Sequence, residues 1–450
     1  MLKGASRGGK TLFIVPIQEQ LCTDPLELND EAFANMPKAM CQKCRVDVPL
    51  HFLTDHIKSC VETDLPSDVA DWYTISDASK AISRCADHFL QIHAMENPLL
   101  LEMDLRDSPA EKDTALISFY KRQNVLWARP LNCRLEGDVA VGLGVNRFFF
   151  STVLEKLKSG FSINFGNSIV TRLFEGEPGH WVPSASHFLV ESDMFLVAGR
   201  MIGHSFLHGG PRLSGLSPAV IHVLLGGSPE TATVTLEDCP DLDIRETIST
   251  LEGESRLSDT QMERVQSLAY SWDLPCPSEN NRKWLFEKLL LHAVLGRIAR
   301  QIKQLRRGLK ETPIWSLVTR RPDAVPLLFP REEASLCPEV VLQHITWPEM
   351  DDESDEDDDC SKETRCRISG YLKQFIANAT PPELKELMKF WTGWENLPSS
   401  LSVEIVHGNY PTAATCFETL RLPCHYKNYK SFSEDFLACI SSTQSGFGLL

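Results

Sequence analysis

A single cysteine lies at the centre of the segment PTAATCFETLRLP, which spans residues 411 to 423. The thiol of Cys416 allows two interpretations. A cysteine thiolate is a strong nucleophile that forms covalent intermediates, but free cysteine is also among the residues most often buried as a small hydrophobe. Cys424 is a second candidate nucleophile, which we expect to be structural or incidental. No local signature of a cysteine–histidine enzyme surrounds either thiol, so a thiol hydrolase is the weaker alternative.

A second group of reactive side chains lies between residues 41 and 60, in CQKCRVDVPLHFLTDHIKSC. Cys41 and Cys44 are separated by two residues, a spacing typical of metal-binding knuckles. His56 and Cys60 are four positions apart and would share one face of a helix. Four such ligands complete a tetrahedron around zinc and leave no open position for a substrate. The spacing therefore predicts one structural zinc ion, with His51 as a possible substitute ligand.

Other short motifs argue against two enzyme classes. His208-Gly209-Gly210 is similar to the oxyanion-hole turn of esterases, but the sequence contains no G-x-S-x-G nucleophile elbow. Gly142 and Gly144 lack the third glycine of a dinucleotide-binding loop, and no P-loop lysine motif is present. We predict neither a serine hydrolase nor a nucleotide-dependent enzyme, and we interpret these glycines as turns.

The composition is that of a folded protein. The chain has 450 residues, of which 42% are hydrophobic and 24% charged, close to the averages of globular proteins. Its formal net charge of -16 disfavours direct binding to nucleic acid. Much of this charge lies in DDESDEDDD, residues 351–359, whose dense like charges predict a solvated insertion.

Two further features bear on the compartment. No apolar run reaches the roughly 18 residues of a membrane span, so we expect no membrane partner. The N-terminal apolar run is broken by Pro16 and shows no cleavage site of a secretory signal. Because 14 cysteines are scattered without an export signal, we expect a reducing compartment, the cytoplasm or the nucleus or both.

The apolar pattern divides the chain into segments that must position these residues. We predict a flexible arm over 1–35, the zinc finger over 36–62, a linker with a helical segment over 63–115, and a packed domain from 116. A long helix is predicted over 284–307, with Gly308 as its stop. Thr380-Pro-Pro-Glu383 is a capping box that predicts a helix start. After it, LSVEIVHG alternates like a strand and SFSEDFLACISS has helical spacing.

The cluster at 41–60 resembles the ubiquitin-binding zinc fingers of postreplication-repair ligases. In that family a proline-containing turn and a short helix follow the first cysteine pair, and the helix ends in a histidine–cysteine pair like His56 and Cys60. The resemblance implies zinc binding at all four ligands. Family members carry an acidic residue that contacts ubiquitin two positions after the histidine, where this chain has Lys58.

The frame around Cys416 resembles the C-terminal lobe of HECT ubiquitin ligases, and in particular the vertebrate cell-cycle-phase-specific group. In the upstream lobe, FLVAGRMIGHSF and FWTGWENLP are similar to HECT segments, so the likeness spans about residues 120 to 450. The segment LEGDVAVGLGVNRFFF departs from the family pattern at Val141, Leu143 and Phe148. The matching positions in the C-terminal lobe are Pro411, Thr415, Cys416, Phe417, Leu420, Leu422 and Pro423, with Tyr426 and Tyr429 beyond and Phe447 near the end.

This resemblance implies an α+β fold of two lobes behind the zinc finger. The mostly helical N-lobe would cover 116–391, with the acidic insertion inside it, and the small α/β C-lobe 392–450. It implies a ubiquitin ligase that accepts ubiquitin from a conjugating enzyme as a thioester on Cys416 and transfers it to substrate lysines, with Phe447 supporting the transfer step. The alternative is a catalytically weak or inactive HECT-like adaptor that binds ubiquitin or partner proteins.

Overall fold

The computed structural model describes residues 36–40, 47–59, 71–104, 106–136, 142–163, 170–253, 255–332, 336–348 and 360–442. The chain divides into two compact units, Met1–Ala70 and Asp71–Leu450. None of the helices within these ranges is long and apolar enough to cross a membrane. Several predicted features lie outside the described residues: the arm over 1–35, Cys41, Cys44, Cys60, the acidic run 351–359 and Phe447.

The first unit contains a short hairpin followed by a helix. Strands β1 (Lys38–Met40) and β2 (Asp47–Pro49) pair antiparallel, with Ala39 opposite Val48. Helix α1 (Leu50–Ser59) follows β2 directly. Val48 is fully buried between these elements. The hairpin therefore brackets the segment that contains the first cysteine pair, and α1 carries His56.

The second unit begins with a large helical region. Besides its helices it contains two small sheets, in which β3 pairs parallel with β4 and β5 antiparallel with β6. The elements are α2 (Ala78–Ile92), β3 (Leu99–Asp104), α3 (Pro109–Tyr120), β4 (Leu131–Glu136), α4 (Leu143–Ser159), β5 (Phe174–Glu175), β6 (Val182–Pro183), α5 (His187–Glu191), α6 (Met194–Leu207), α7 (Pro218–Leu224), α8 (Leu242–Ser249), α9 (Asp259–Ser271), α10 (Arg282–Val294), α11 (Ala299–Lys310), α12 (Ile314–Arg320) and α13 (Val325–Leu328).

Helix α6 lies at the centre of this region, and every one of its residues is buried. It packs closely on α11. A Cβ atom on Gly199 would lie 2.8 Å from the backbone nitrogen of Leu309, and one on Gly308 would lie 2.9 Å from the nitrogen of Arg200. Real Cβ atoms do not come this near, so glycine allows the two helix backbones to touch. Gly308, predicted as a helix stop, is instead a packing position inside α11.

The single helix predicted over 284–307 is two helices in the structure. Helix α10 ends at Val294, a 3-10 turn covers Gly296–Ile298, and α11 starts at Ala299. Glycine is a poor helix former, and a Cβ on Gly296 would lie 2.6 Å from the His292 ring. The apolar stripe continues through the break, because Leu295 and Ile298 are both buried; the hydrophobic pattern therefore does not reveal it.

A second region at the C-terminal end is built around a four-stranded sheet. The strand order is β7-β8-β10-β9, with β7 and β10 both parallel to β8 and β9 antiparallel to β10. The elements are α14 (Pro338–Gln343), β7 (Ile345–Thr346), α15 (Lys362–Asn378), α16 (Pro381–Thr392), β8 (Leu401–Val406), β9 (Thr412–Ala414), β10 (Thr419–Pro423) and α17 (Tyr429–Ser442).

Three of the predicted C-terminal elements are confirmed. Helix α16 begins with the capping box of Thr380 and Glu383 and ends at Gly393, whose φ is 90°. Strand β8 matches the alternating LSVEIV pattern, and α17 covers the predicted final helix. The mixture of many helices with small sheets also confirms the predicted α+β class.

Buried apolar side chains form two clusters that divide the second unit. The first runs from Trp72 to Phe329 and the second from Leu336 to Ile440. The limits of two predicted segments do not coincide with the limits of these clusters. The end of the predicted linker, from Trp72 onwards, contributes side chains to the first cluster. Helix α15, which precedes the predicted boundary at residue 391, and α16, which crosses it by one residue, contribute to the second.

Candidate active site

Cys416 lies on a tight turn between two strands of the C-terminal sheet. After β9, a 3-10 turn covers Thr415–Phe417, and Glu418 then adopts a left-handed conformation with φ of 54° before β10 begins. The Cys416 thiol is free and partly exposed. The next side chain, Phe417, is 79% exposed. The strands thus fix the backbone on both sides of an accessible thiol.

The turn is docked against the N-terminus of α4, which belongs to the first apolar cluster. A Cβ on Gly142 would lie 3.5 Å from the Cys416 sulfur. A Cβ on Gly144 would lie 2.8 Å from the Cβ of Thr415 and closer still to its hydroxyl oxygen. Only glycine at position 144 allows this approach without a shift. The glycines that the sequence predicts as turns therefore form the surface on which the nucleophile's turn rests.

Arg147, one turn further along α4, binds the same segment. Its Nη1 donates to the carbonyl oxygens of Thr415 at 3.0 Å and Thr392 at 3.3 Å, and its Nη2 donates to the Glu418 carboxylate at 2.8 Å. The guanidinium also lies over the Trp394 ring, 4.9 Å from its centroid. One side chain of α4 therefore contacts both ends of the turn that contains Cys416.

The contact between the two clusters continues beside Arg147. The Ser151 hydroxyl donates to the Glu395 carboxylate at 2.6 Å. Lys389 lies 3.5 Å from Glu155 and 3.7 Å from Glu395. From the other side, the Trp391 indole donates to the carbonyl oxygen of Glu418 at 2.8 Å. The contacts of Ser151 and Glu155 join α4 to the end of α16 and the segment that follows it, while the Trp391 bond joins α16 to the Cys416 turn.

The structure gives Cys424 a different environment. Its sulfur lies 3.5 Å from Nδ1 of His407, within hydrogen-bonding distance for a thiol. Cys360 is buried, and desolvation, together with the neighbouring Cys424, raises the pKa of its thiol to about 11. His425, the other histidine of this loop, contacts the carbonyl oxygen of Gly408 at 3.2 Å. Cys424 therefore has a histidine contact, whereas within the described ranges Cys416 has none.

The remaining predicted site residues divide into two sets. The framework residues Pro411, Leu420, Leu422 and Pro423 are buried, and the last three belong to β10, the strand that follows the Cys416 turn. Of the four predicted zinc ligands only His56 is described, half-buried on α1, while His51 is exposed at its start. The described residues contain no cluster of three metal-ligating side chains. Because the other three ligands lie outside those residues, this finding leaves the zinc prediction untested.

Sequence reasoning missed Arg147 and Glu418. The only signal was that Arg147 stands in the segment similar to the family's N-lobe pattern, directly before the divergent Phe148. No periodicity or spacing connects position 147 with position 416. The contact depends on how the two clusters pack, which the sequence pattern does not contain.

Comparison with known proteins identifies the family. The model of the HECT-domain (ubiquitin-transferase) family matches residues 162–450, more than half of the chain. The chain therefore belongs to the HECT-domain family, and the predicted resemblance to it is confirmed.

Individual relatives are similar to this chain at low identity. The G2/M phase-specific E3 ubiquitin-protein ligase of Gallus gallus is 24% identical over 348 residues, which cover 74% of this chain and 44% of that protein. The Homo sapiens protein of the same name is 21% identical over 280 residues, 60% of this chain and 38% of that protein. This chain thus spans less than half the length of the curated relatives it matches.

Proposed function

We propose that this protein is a HECT-type ubiquitin ligase that carries ubiquitin as a thioester on Cys416. The observation that supports this proposal most directly is the free, partly exposed thiol of Cys416 on a turn fixed between β9 and β10, inside the part that matches the HECT family. The partners would be a ubiquitin-conjugating enzyme, ubiquitin and a protein substrate.

The chemistry requires little from the surroundings of the sulfur in the first step. The Cys416 thiolate attacks the carbonyl carbon of the thioester on the conjugating enzyme, the new C–S bond forms, and the cysteine of that enzyme leaves as a thiolate. Since one thioester replaces another, the exchange is nearly isoenergetic and depends mainly on proximity. The lack of a histidine contact to Cys416 among the described residues is therefore compatible with this role.

In the second step a substrate amine attacks the thioester. An amide bond forms, the C–S bond breaks, Cys416 leaves as a thiolate, and the amine loses a proton to solvent or to a nearby base. Aminolysis needs a neutral amine and a thioester held in a fixed orientation. We expect Phe447 to support this step.

The experiment is a thioester assay with activating enzyme, a panel of conjugating enzymes, ubiquitin and ATP. We expect a ubiquitin adduct on the full chain that is lost on reduction. Cys416→Ala should abolish it, and Cys424→Ala should leave it intact. Loss of the adduct in Cys424→Ala alone would assign the chemistry to the Cys424–His407 pair instead. A folded protein that forms no adduct with any conjugating enzyme would contradict the ligase and favour the adaptor.

We also propose that the first unit holds one structural zinc ion, bound by Cys41, Cys44, His56 and Cys60. The described residues fit this group: the β1–β2 hairpin brackets the first cysteine pair, and Cys60 directly follows the last residue of α1. Zinc would cross-link the two ends of a unit whose hairpin strands have only three residues each.

The zinc proposal has a direct measurement. Metal analysis of the purified full chain should give about one zinc per molecule, and Cys44→Ser should lower that content. His51→Ala, which removes the alternative ligand, should keep it. A zinc content near zero in the unaltered protein would refute the proposal. Binding of ubiquitin by this unit is a separate proposal, and titration with ubiquitin, comparing Lys58→Asp with the unaltered chain, tests it.

For the two lobes, we propose that the boundary falls between Phe329 and Leu336, where one apolar cluster ends and the next begins. The acidic insertion would then lie in the C-terminal lobe, between β7 and α15. We further propose a cytoplasmic or nuclear location, in keeping with ten described cysteines that are all free. Imaging of a fluorescent fusion would test the location.

A further inference from the structure

We propose that Arg147 is a positioning residue that holds the Cys416 turn on α4 while ubiquitin is transferred from the thioester to an amine. The inference rests on the proposed ligase function and adds to it a specific residue on α4, in the first apolar cluster. Arg147 itself need not touch the reacting atoms. It acts through the backbone of the turn, by binding Thr415 on one side of the nucleophile and Glu418 on the other.

The form of the contact suits arginine and no other side chain. Arg147 is only 18% exposed, and its planar fork reaches three acceptors that come from two separate parts of the chain. A lysine has a single point of charge and cannot meet the two carbonyl oxygens and the Glu418 carboxylate with the same geometry. The Trp394 ring beneath the guanidinium further restricts its orientation.

The turn contains a residue whose conformation needs external support. Glu418 has φ of 54°, a left-handed conformation that is uncommon for residues other than glycine, asparagine and aspartate. Three hydrogen bonds hold it there: Arg147 binds its carboxylate, and the Trp391 indole and the Ser402 backbone amide donate to its carbonyl oxygen at 2.8 and 2.9 Å. The strained backbone of Glu418, two residues from the nucleophile, is thus held by contacts from both α4 and α16. Strain fixed in this way serves to preorganise a site.

The two steps of the reaction differ in what they require of this contact. During loading, the conjugating enzyme brings its own thioester to the sulfur, and the exchange is nearly isoenergetic. During transfer, a small amine must meet a carbonyl carbon whose position depends on the Cys416 turn to which it is attached. Misplacement by about 1 Å can slow such a step by as much as about a hundredfold. We therefore assign the effect of Arg147 to transfer and not to loading.

The experiment isolates transfer in a single turnover. The full chain is loaded with ubiquitin, loading is stopped by chelating magnesium and consuming ATP, and discharge to free lysine is followed over a range of lysine concentrations. For Arg147→Ala we expect normal loading but a maximal discharge rate lower by about tenfold, equivalent to about 1.4 kcal/mol. The maximal discharge rate of Arg147→Lys should lie between that of Arg147→Ala and that of the unaltered chain. The lysine concentration at half-maximal rate should not change.

Two further variants separate positioning from simple loss of structure. Glu418→Asn keeps a residue that tolerates the left-handed conformation but removes the carboxylate; it should slow discharge severalfold in the unaltered background and not at all when combined with Arg147→Ala. Arg421→Ala is the matched control, because it removes an arginine–glutamate pair of the same sheet, in which Arg421 binds the exposed carboxylate of Glu404 on β8 at 2.9 Å. It should discharge at the normal rate.

The outcomes distinguish this inference from the proposed function. If the unaltered chain forms no thioester, the ligase proposal fails and this inference fails with it. If the chain loads and Arg147→Ala discharges at the normal rate, the ligase proposal stands and the role of Arg147 is refuted. Additive effects of Arg147→Ala and Glu418→Asn, or a loss confined to loading, would also refute it.

Discussion

Replacing Gly144 by alanine tests whether the Cys416 turn rests on α4 in solution. Gly144 is in the first turn of α4, and an added Cβ would lie 2.8 Å from the Cβ of Thr415. Thr415 is short and β-branched, so it cannot swing away as a long side chain would. Either the turn or the helix must shift.

The expected magnitude follows from two opposing terms. Overpacking by one methyl group costs about 1–3 kcal/mol, while glycine to alanine in a helix gains up to about 1 kcal/mol where space is available. We expect Gly144→Ala to lower the free energy of unfolding by about 1–2 kcal/mol. If the Cys416 turn detaches from α4 instead of deforming, the loss of stability is limited to the free energy that this docking contributes.

The same substitution elsewhere supplies the control. Gly370 lies inside α15, and an added Cβ there would meet nothing within 4 Å. We therefore expect Gly370→Ala to raise the free energy of unfolding by about 0.5–1 kcal/mol. Both variants replace a helical glycine by alanine, and the predicted changes in the free energy of unfolding have opposite signs.

Two measurements report the result. Urea unfolding gives the change in stability from the shift in midpoint. Alkylation of Cys416 by iodoacetamide, followed by peptide mass spectrometry, gives the accessibility of the thiol, and it should be faster in Gly144→Ala than in Gly370→Ala. If Gly144→Ala stabilises the protein as much as Gly370→Ala and leaves alkylation unchanged, the docked contact does not exist in solution.

Two further predictions concern the large helical region. Arg200 is 2% exposed and donates to the Glu311 carboxylate and to two carbonyl oxygens; Arg200→Met should lower the free energy of unfolding by about 2–4 kcal/mol in urea, and a change below about 0.5 kcal/mol would contradict the pairing. Burial, and then the neighbouring His208, hold the pKa of His204 well below its ordinary value. Below about pH 6.5 the unfolded chain binds a proton at His204 that the buried imidazole does not bind. The stability of the folded state is therefore undiminished by His204 above that pH and falls as the pH is lowered. The urea midpoint should drop from pH 7 to pH 5, less steeply in His204→Gln; equal slopes would refute this cause.

The sequence predicts the elements whose signals are local. The capping box at Thr380 and the alternation of LSVEIV identify α16 and β8 because each signal lies within the element itself. Strand β7, only two residues long, has no such signal; it is a strand because it pairs with β8. Likewise the break after Val294 interrupts the helix without interrupting the apolar stripe, so hydrophobic periodicity cannot locate it.

The candidate site shows the same division. Cys416 is recognisable because its frame of threonine, phenylalanine, leucine and proline is contiguous in the chain. Arg147 is 271 positions from Glu418, the residue whose carboxylate it binds at 2.8 Å. A contact of this kind is specified by the packing of two clusters, and a single sequence has no pattern that records it.

Two of the departures from the family pattern, Leu143 and Phe148, fall on α4, the helix that supports the Cys416 turn, while Val141 lies outside the described residues. The placement of these two bears on whether the protein is an enzyme or an adaptor. Phe148 stands in place of a glutamate, but the Lys389 ammonium lies 5.7 Å from its ring centroid and is paired with Glu155 and Glu395. The acidic partners of Lys389 are therefore supplied by Glu155 and Glu395, and a glutamate at position 148 is not needed for this pairing. Leu143 is 60% exposed and does not enter the contact with Thr415, which Gly144 makes. Leu143 and Phe148 thus leave intact the backbone approach to the nucleophile, and this favours a working ligase over an inactive adaptor.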